Sequence, residues 1–116
     1  MSLADPPITV VEKKTGTVAG IITATYNFGE GEYELLDARV SVPIAYAQKG
    51  IIGYYCKRGD GTIDTHELKT GWCFNYNNLT LDTARRMIGP GQLFGLVRCD
   101  SATTVTLLAL LRRLRP

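Results

Sequence analysis

The chain closes on a run from Thr103 to Leu111 that offers little to water on either side. Its first residues, Thr103, Thr104, Val105 and Thr106, are mostly β-branched and favour a strand. A strand sends successive side chains to opposite faces. Val105, Leu107, Ala109 and Leu111 then share one face, and Leu108 and Leu110 the other. An antiparallel strand in a small domain commonly wets one face, but this one needs cover on both. A second copy of the chain is one such cover. Val105, Leu107, Leu108, Leu110 and Leu111 are therefore the interface candidates.

The 116 residues suit one domain. A chain of that size buries roughly two thirds of its unfolded surface, enough for a core without staples. Hydrophobic residues make up 45% and charged residues 21%, a globular composition on the low-charge side. The net charge of +2 is too small for whole-chain attraction to nucleic acid. Arginines do concentrate locally, at Arg85 and Arg86 and at Arg112, Arg113 and Arg115. These five are the phosphate-contact candidates, and they carry a weak nucleic-acid reading. No apolar run approaches the ~18 residues of a membrane span. The start carries no basic segment followed by an apolar one, so a cytoplasmic or particle-associated chain is expected.

The three cysteines, Cys56, Cys73 and Cys99, are an odd count, which argues against a complete disulfide framework. With no Cys-x-x-Cys and one histidine, their spacing fits no zinc pattern. Cys99 shares a strand face with Leu93 and Val97 and reads as a small buried hydrophobe. Cys56 and Cys73 face each other if their strands are neighbours, which leaves a bridge between them open.

Residues 1–7 end in Pro6-Pro7 and read as a flexible N-terminal arm, followed by a single β domain over 8–116. Residues 8–11 suit a short first strand or an arm that pairs with another subunit. Lys13-Lys14-Thr15-Gly16 reads as a turn. Residues 17–26 and 33–42 look like a hairpin turned by the glycines of 27–31. Alternation in the second run sends Leu36, Ala38, Val40 and Val42 inward. Asp60-Gly61, between the runs 50–58 and 62–68, is the strongest hairpin signal in the chain. Trp72, Phe74 and Tyr76 alternate along a further strand. A short helix is expected at about 81–88. Thr80 would cap it, Leu81, Ala84, Met87 and Ile88 would form its apolar stripe, and Gly89-Pro90 would stop it. Residues 92–99 and 103–111 suggest a last hairpin. The expected fold is mainly β: an antiparallel sandwich or partly open barrel of seven or eight strands built from hairpins, plus that helix.

No motif names an activity. Residues 60–67 match the second half of a calcium-binding EF-hand loop, with Gly61 at the sharp turn and Glu67 at the last ligand place. The first half fails, because Cys56 and Arg58 occupy its first and third ligand positions. No metal ligand, catalytic residue or cofactor is assigned. Arg58, Gly59 and Asp60 form an integrin-type tripeptide on an expected exposed turn and are the binding-loop candidates. Asp64 and His66 share a strand face and can orient a general base or a metal ligand, but no nucleophile lies beside them in sequence. Asn78-Leu79-Thr80 is a glycosylation sequon that serves equally as a loop and helix cap. Trp72, Phe74 and Tyr76, with Tyr54 and Tyr55, can form a stacking platform, but core packing is the favoured reading, since the strand lacks interleaved Lys or Arg.

Three function classes follow. The leading expectation is a non-enzymatic structural β domain that forms a homo-oligomer or larger assembly, for example a subunit or decoration protein of a viral or other large particle. The alternative is a ligand-, peptide- or carbohydrate-binding β module. A small enzyme using Asp64 and His66 comes last. If the helix covers Leu108 and Leu110 within one chain, the motive for assembly falls away.

Overall fold

The computed structural model describes residues 6–75 and 77–115. Residues 1–5 of the expected arm, and Tyr76, lie outside the described residues. Seven strands account for the fold: β1 (Ile8–Gly16), β2 (Gly20–Ser41), β3 (Gln48–Lys57), β4 (Ile63–Cys73), β5 (Leu79–Leu81), β6 (Arg85–Cys99) and β7 (Thr103–Arg115). All pairings are antiparallel. They join in the order β1-β7-β2-β6-β3-β4, with β5 on β2. The expected mainly antiparallel sandwich is the observed fold.

The 22-residue β2 explains how one sheet becomes two layers. Its first part pairs β6, its last part pairs β7 and β5, and both neighbours hold residues 32–35. The β2–β6 register breaks between Phe28 and Gly31. A bulge bends a strand without reversing it. The glycines at 29 and 31 thus produce a bend where the sequence suggested a hairpin turn. One layer is β4-β3-β6 with the first part of β2, and the other is β1-β7 with the second part of β2 and β5. Glycines show that the layers face each other closely. A Cβ on Gly95 of β6 would stand 2.7 Å from Val40 Cγ2 and 3.3 Å from Leu107 Cδ1. The core between them holds Ile22, Leu35, Val40, Ile52, Leu93, Val97, Val105 and Leu107.

The expected helix at 81–88 is absent, and β5 and β6 stand in its place. A helix would bury Met87 and Ile88 together, whereas a strand must split them. Met87 is fully buried and Ile88 is 59% exposed. Met87 pairs Tyr33 and Arg86 pairs Glu34, so the ladder to β2 replaces two turns of marginal helix. Pro90, the expected stop signal, lies between the pairs Gly31–Gly89 and Phe28–Gly91, where the register breaks. Proline is tolerated there because no ladder donor is required.

The hairpin around Asp60-Gly61 forms. Arg58 N–H donates to the Thr62 carbonyl at 2.8 Å, and the Asp60 carboxylate accepts from Thr62 N at 3.0 Å and Oγ1 at 2.6 Å. Gly61 takes φ +90°, a conformation that favours glycine. The last expected hairpin opens instead. β6 pairs β2 and β3, while β7 pairs β1 and β2, so residues 100–102 carry the chain from one layer to the other. Residues 8–16, expected in part as a turn or an intersubunit arm, form one strand on the chain's own β7.

Candidate functional site

The outer face of the β4-β3-β6-β2 layer carries the candidate site. Register aligns its outward side chains in rows. Trp72, Lys49, Arg98 and Ile21 form the first row across the four strands. Thr70, Ile51, Leu96 and Thr23 form the next, and Thr65, Tyr55, Gln92 and Asn27 lie farther along. Between them sits Phe94 opposite Gly53. The glycine leaves room for the ring, since a Cβ there would meet Phe94 Cζ at 2.7 Å. Phe94 stacks on Tyr55 with centroids 4.8 Å apart. Trp72 is 62% exposed and presents its indole to solvent on this face. Lys49 and Tyr55 are six residues apart on β3, about 20 Å of strand.

Each end of this face opens into a hollow. One, of about 460 Å³, is lined by Tyr55, Lys57, Ile63 and Pro90 above the Asn27–Gln92 pair. Gln92 Nε2 donates to Asn27 Oδ1 at 2.8 Å, which leaves the opposite amide ends free to bond a ligand. The other, of about 220 Å³, lies between Trp72, Lys49, Arg98, Gln48 and Asp100. Gln48 Oε1 accepts from the Asp100 N–H at 2.9 Å and fixes that corner. Apolar ring faces flanked by amide and cationic donors can hold a flat, hydroxyl-rich molecule.

The predicted aromatic platform is therefore divided. Trp72 and Tyr55 do share the outer face. Tyr54 points to the other side of β3 and stacks on His66, with centroids 4.6 Å apart. Phe74 leaves the strand for a turn closed by the Phe74 N–H to Asn77 carbonyl bond of 2.8 Å. Gln92, Asn27 and Phe94 were missed. Their roles depend on which strands become neighbours, which alternation along a single strand does not give.

The remaining candidates fall in three other places. Val105, Leu107 and Leu111 are buried in the chain's own core, as their shared face implies, and are not available to a partner. Leu108 is 39% exposed and Leu110 half-buried, on the outer face of the second layer beside Val11 and Thr9. The basic residues meet across β2. Arg86 and Arg112 flank Glu34 from both sides, and Arg85 and Arg113 are their neighbours. Arg113 lies 6.0 Å over the Tyr33 ring and donates to the Glu30 carbonyl at 3.0 Å. Arg115 pairs Glu32 along the backbone. Acidic side chains thus interrupt the basic patch and weaken its appeal to phosphate. Arg58, Gly59 and Asp60 do form an exposed tip, but Arg58 Nε donates to Asp64 Oδ2 at 2.6 Å. That bond raises the Arg58 pKa, and the Thr62 bonds lower the Asp60 pKa.

The three cysteines are free. Cys73 pairs Gln48 and Cys56 pairs Asp64, so the two lie at opposite ends of β3–β4. That separation is far beyond the ~7 Å Cα limit for a disulfide, which removes the bridge that the sequence left open. Burial pushes the Cys73 thiol up to about 11 and raises Cys99 too.

No protein-family model matches the chain. No curated protein matches it. Solved structures do. A CBM22 xylan-binding domain from Paenibacillus barcinonensis aligns with 97% of this chain and 84% of its own, at TM-score 0.58 and 12% identity. The C-terminal family 22 carbohydrate-binding module of a Clostridium thermocellum xylanase aligns with 91% of this chain and 85% of its own, at TM-score 0.53 and 6% identity. A third match is the N-terminal CBM22–GH10 part of Clostridium thermocellum endo-1,4-beta-D-xylanase 10B, complexed with xylohexaose. It gives TM-score 0.55 at 9% identity over 89% of this chain, which spans 26% of that one. These likenesses show a shared sandwich fold.

Proposed function

We propose that the chain is a non-catalytic carbohydrate-binding β module that receives a polysaccharide on the outer face of the β4-β3-β6-β2 layer. The carrying observation is that face itself. An exposed Trp72 at one end and the Tyr55–Phe94 stack toward the other bracket a row of strands that no other described element covers. The sandwich shared with xylan-binding modules supports the choice of ligand, so xylan is the first glycan to offer. Trp72 supplies a flat apolar surface, and Gln92, Asn27, Lys49 and Arg98 supply donors for hydroxyls.

The test is calorimetric titration of the full chain with soluble xylan and xylo-oligosaccharides. Trp72→Ala is expected to weaken binding at least tenfold, about 1.4 kcal/mol, without loss of the β circular-dichroism signal. Titrations silent for xylan and for a panel of other plant and microbial polysaccharides would sink the reading.

A second reading, assembly through the other layer, is favoured by one observation. The helix that could have covered Leu108 and Leu110 is replaced by strands, and Leu108 stays 39% exposed beside Val11 at 53%. These two pair across β1 and β7. The two faces belong to opposite layers, so glycan binding and self-association are compatible.

A further inference from the structure

We propose that Cys56, Asp64 and His66 form a binding site for one zinc-class divalent cation, with a fourth coordination position left to water. Sequence reasoning found Asp64 and His66 on one face but no third group beside them. The β3–β4 hairpin supplies it. Cys56 is the cross-strand partner of Asp64, and His66 lies two residues farther along the same side of β4. The nearest ligand atoms of all three lie within 4.8 Å of one another.

Donor spacing and donor chemistry together fit a zinc-class ion. Zinc bonds of about 2.3 Å to sulfur and about 2.0 Å to nitrogen, at a tetrahedral angle, place the two donors about 3.5 Å apart. Cys56 Sγ stands 3.7 Å from His66 Nε2. The His66 ring is held in that pose by its stack on Tyr54, 16° from parallel. A thiolate, an imidazole and a carboxylate suit zinc or cobalt better than the all-oxygen preference of calcium or magnesium. Three protein ligands with one open place match the pattern of an accessible zinc site. Asp64 Oδ2 already accepts from Arg58 Nε at 2.6 Å, and a carboxylate has lone pairs left for a metal. This bond restrains the carboxylate, as a supporting partner does in known metal sites. The site lies on the opposite side of β3 from Tyr55, because adjacent strand residues point to opposite faces. Its side chains thus face away from the Tyr55 side, although Cys56 also borders the hollow of about 460 Å³ at that end of the sheet.

The Cys56 thiol gives its proton to solvent as the ion binds. Cys73 and Cys99 are buried and offer no accessible thiol to an ion in solution.

The experiment titrates the full chain, under reductant that does not chelate metal, with Co²⁺ alone and follows its absorption. The expected result is one ion per chain, with a thiolate-to-cobalt charge-transfer band and the visible bands of tetrahedral cobalt. Zn²⁺ then displaces the cobalt and bleaches both. Cys56→Ser abolishes the charge-transfer band, and His66→Gln lowers the affinity at least tenfold. Zn²⁺ raises the melting temperature of the unsubstituted chain only. No charge-transfer band at micromolar Co²⁺, or a band that survives in Cys56→Ser, overturns the proposal. His66 is exposed, so its variant keeps the test decisive should Cys56→Ser fail to fold: unchanged cobalt affinity in His66→Gln then overturns it.

Discussion

Cys73 and Trp72 are both on β4, one residue apart, and meet opposite worlds. Cys73 is buried beneath Gln48 and donates its thiol to the Gln48 carbonyl at 3.7 Å. Trp72 stands in solvent. Period two explains the pair. It also explains why Cys99 reads correctly from sequence as a small core residue, since Leu93, Val97 and Cys99 are all buried. The thiols give a pH prediction. Cys73 has its folded pKa raised from 9.0 to about 11, so the fold prefers the protonated thiol. That stability is fully present below the unfolded value and is lost as pH rises between them. The unfolding free energy is therefore expected to fall from about pH 9 to pH 11 in urea titrations, with the loss reduced in Cys73→Ala. A thiol reagent at neutral pH is expected to label Cys56 in the native chain, and Cys73 and Cys99 only after denaturation.

At the scale of elements, the sequence was legible where alternation and a turn coincide, as at the Asp60-Gly61 hairpin and in β7. It misled where a glycine pair left direction undetermined. Gly29 and Gly31 suit either a reversal or a bend, and only the ladder to β6 selects the bend. The segment from Leu81 to Pro90 carried helix spacing and a helix stop, yet those local preferences amount to little against a ladder to β2. Met87 and Ile88 make this testable. Met87→Ala is expected to cost about 2–5 kcal/mol by leaving a core cavity, and Ile88→Ala about 0.5 kcal/mol or less. A helix with both residues on its apolar stripe would show two comparable losses in chemical denaturation. Gly95 gives a second check. With Val40 at 2.7 Å from a Cβ there, Gly95→Ala is expected to cost about 1–3 kcal/mol by overpacking.

The whole molecule is a two-layer sandwich with dimensions of 49 × 30 × 19 Å. The shortest dimension is that of two sheets about 10 Å apart with their outer side chains. Both outer faces carry exposed apolar groups, which is why the terminal strand suggested assembly and the aromatic strand suggested ligand binding. The sequence separated these readings poorly, because which strands share a face depends on pairings between residues far apart in the chain. Trp72 and Ile21, for instance, reach one row only through β3 and β6. The layers can be tested apart. Leu108→Glu is expected to shift any oligomer to monomer by placing a charge in an apolar contact, as read by light scattering, and to leave glycan affinity within twofold.

The most direct test of the carbohydrate-binding role compares xylan binding by the unsubstituted chain and Trp72→Ala, at matched fold, in isothermal titration. Saturable binding that falls at least tenfold in Trp72→Ala is the expected result. Equal affinity of the two chains, or no heat with any polysaccharide offered, contradicts the assignment of that face.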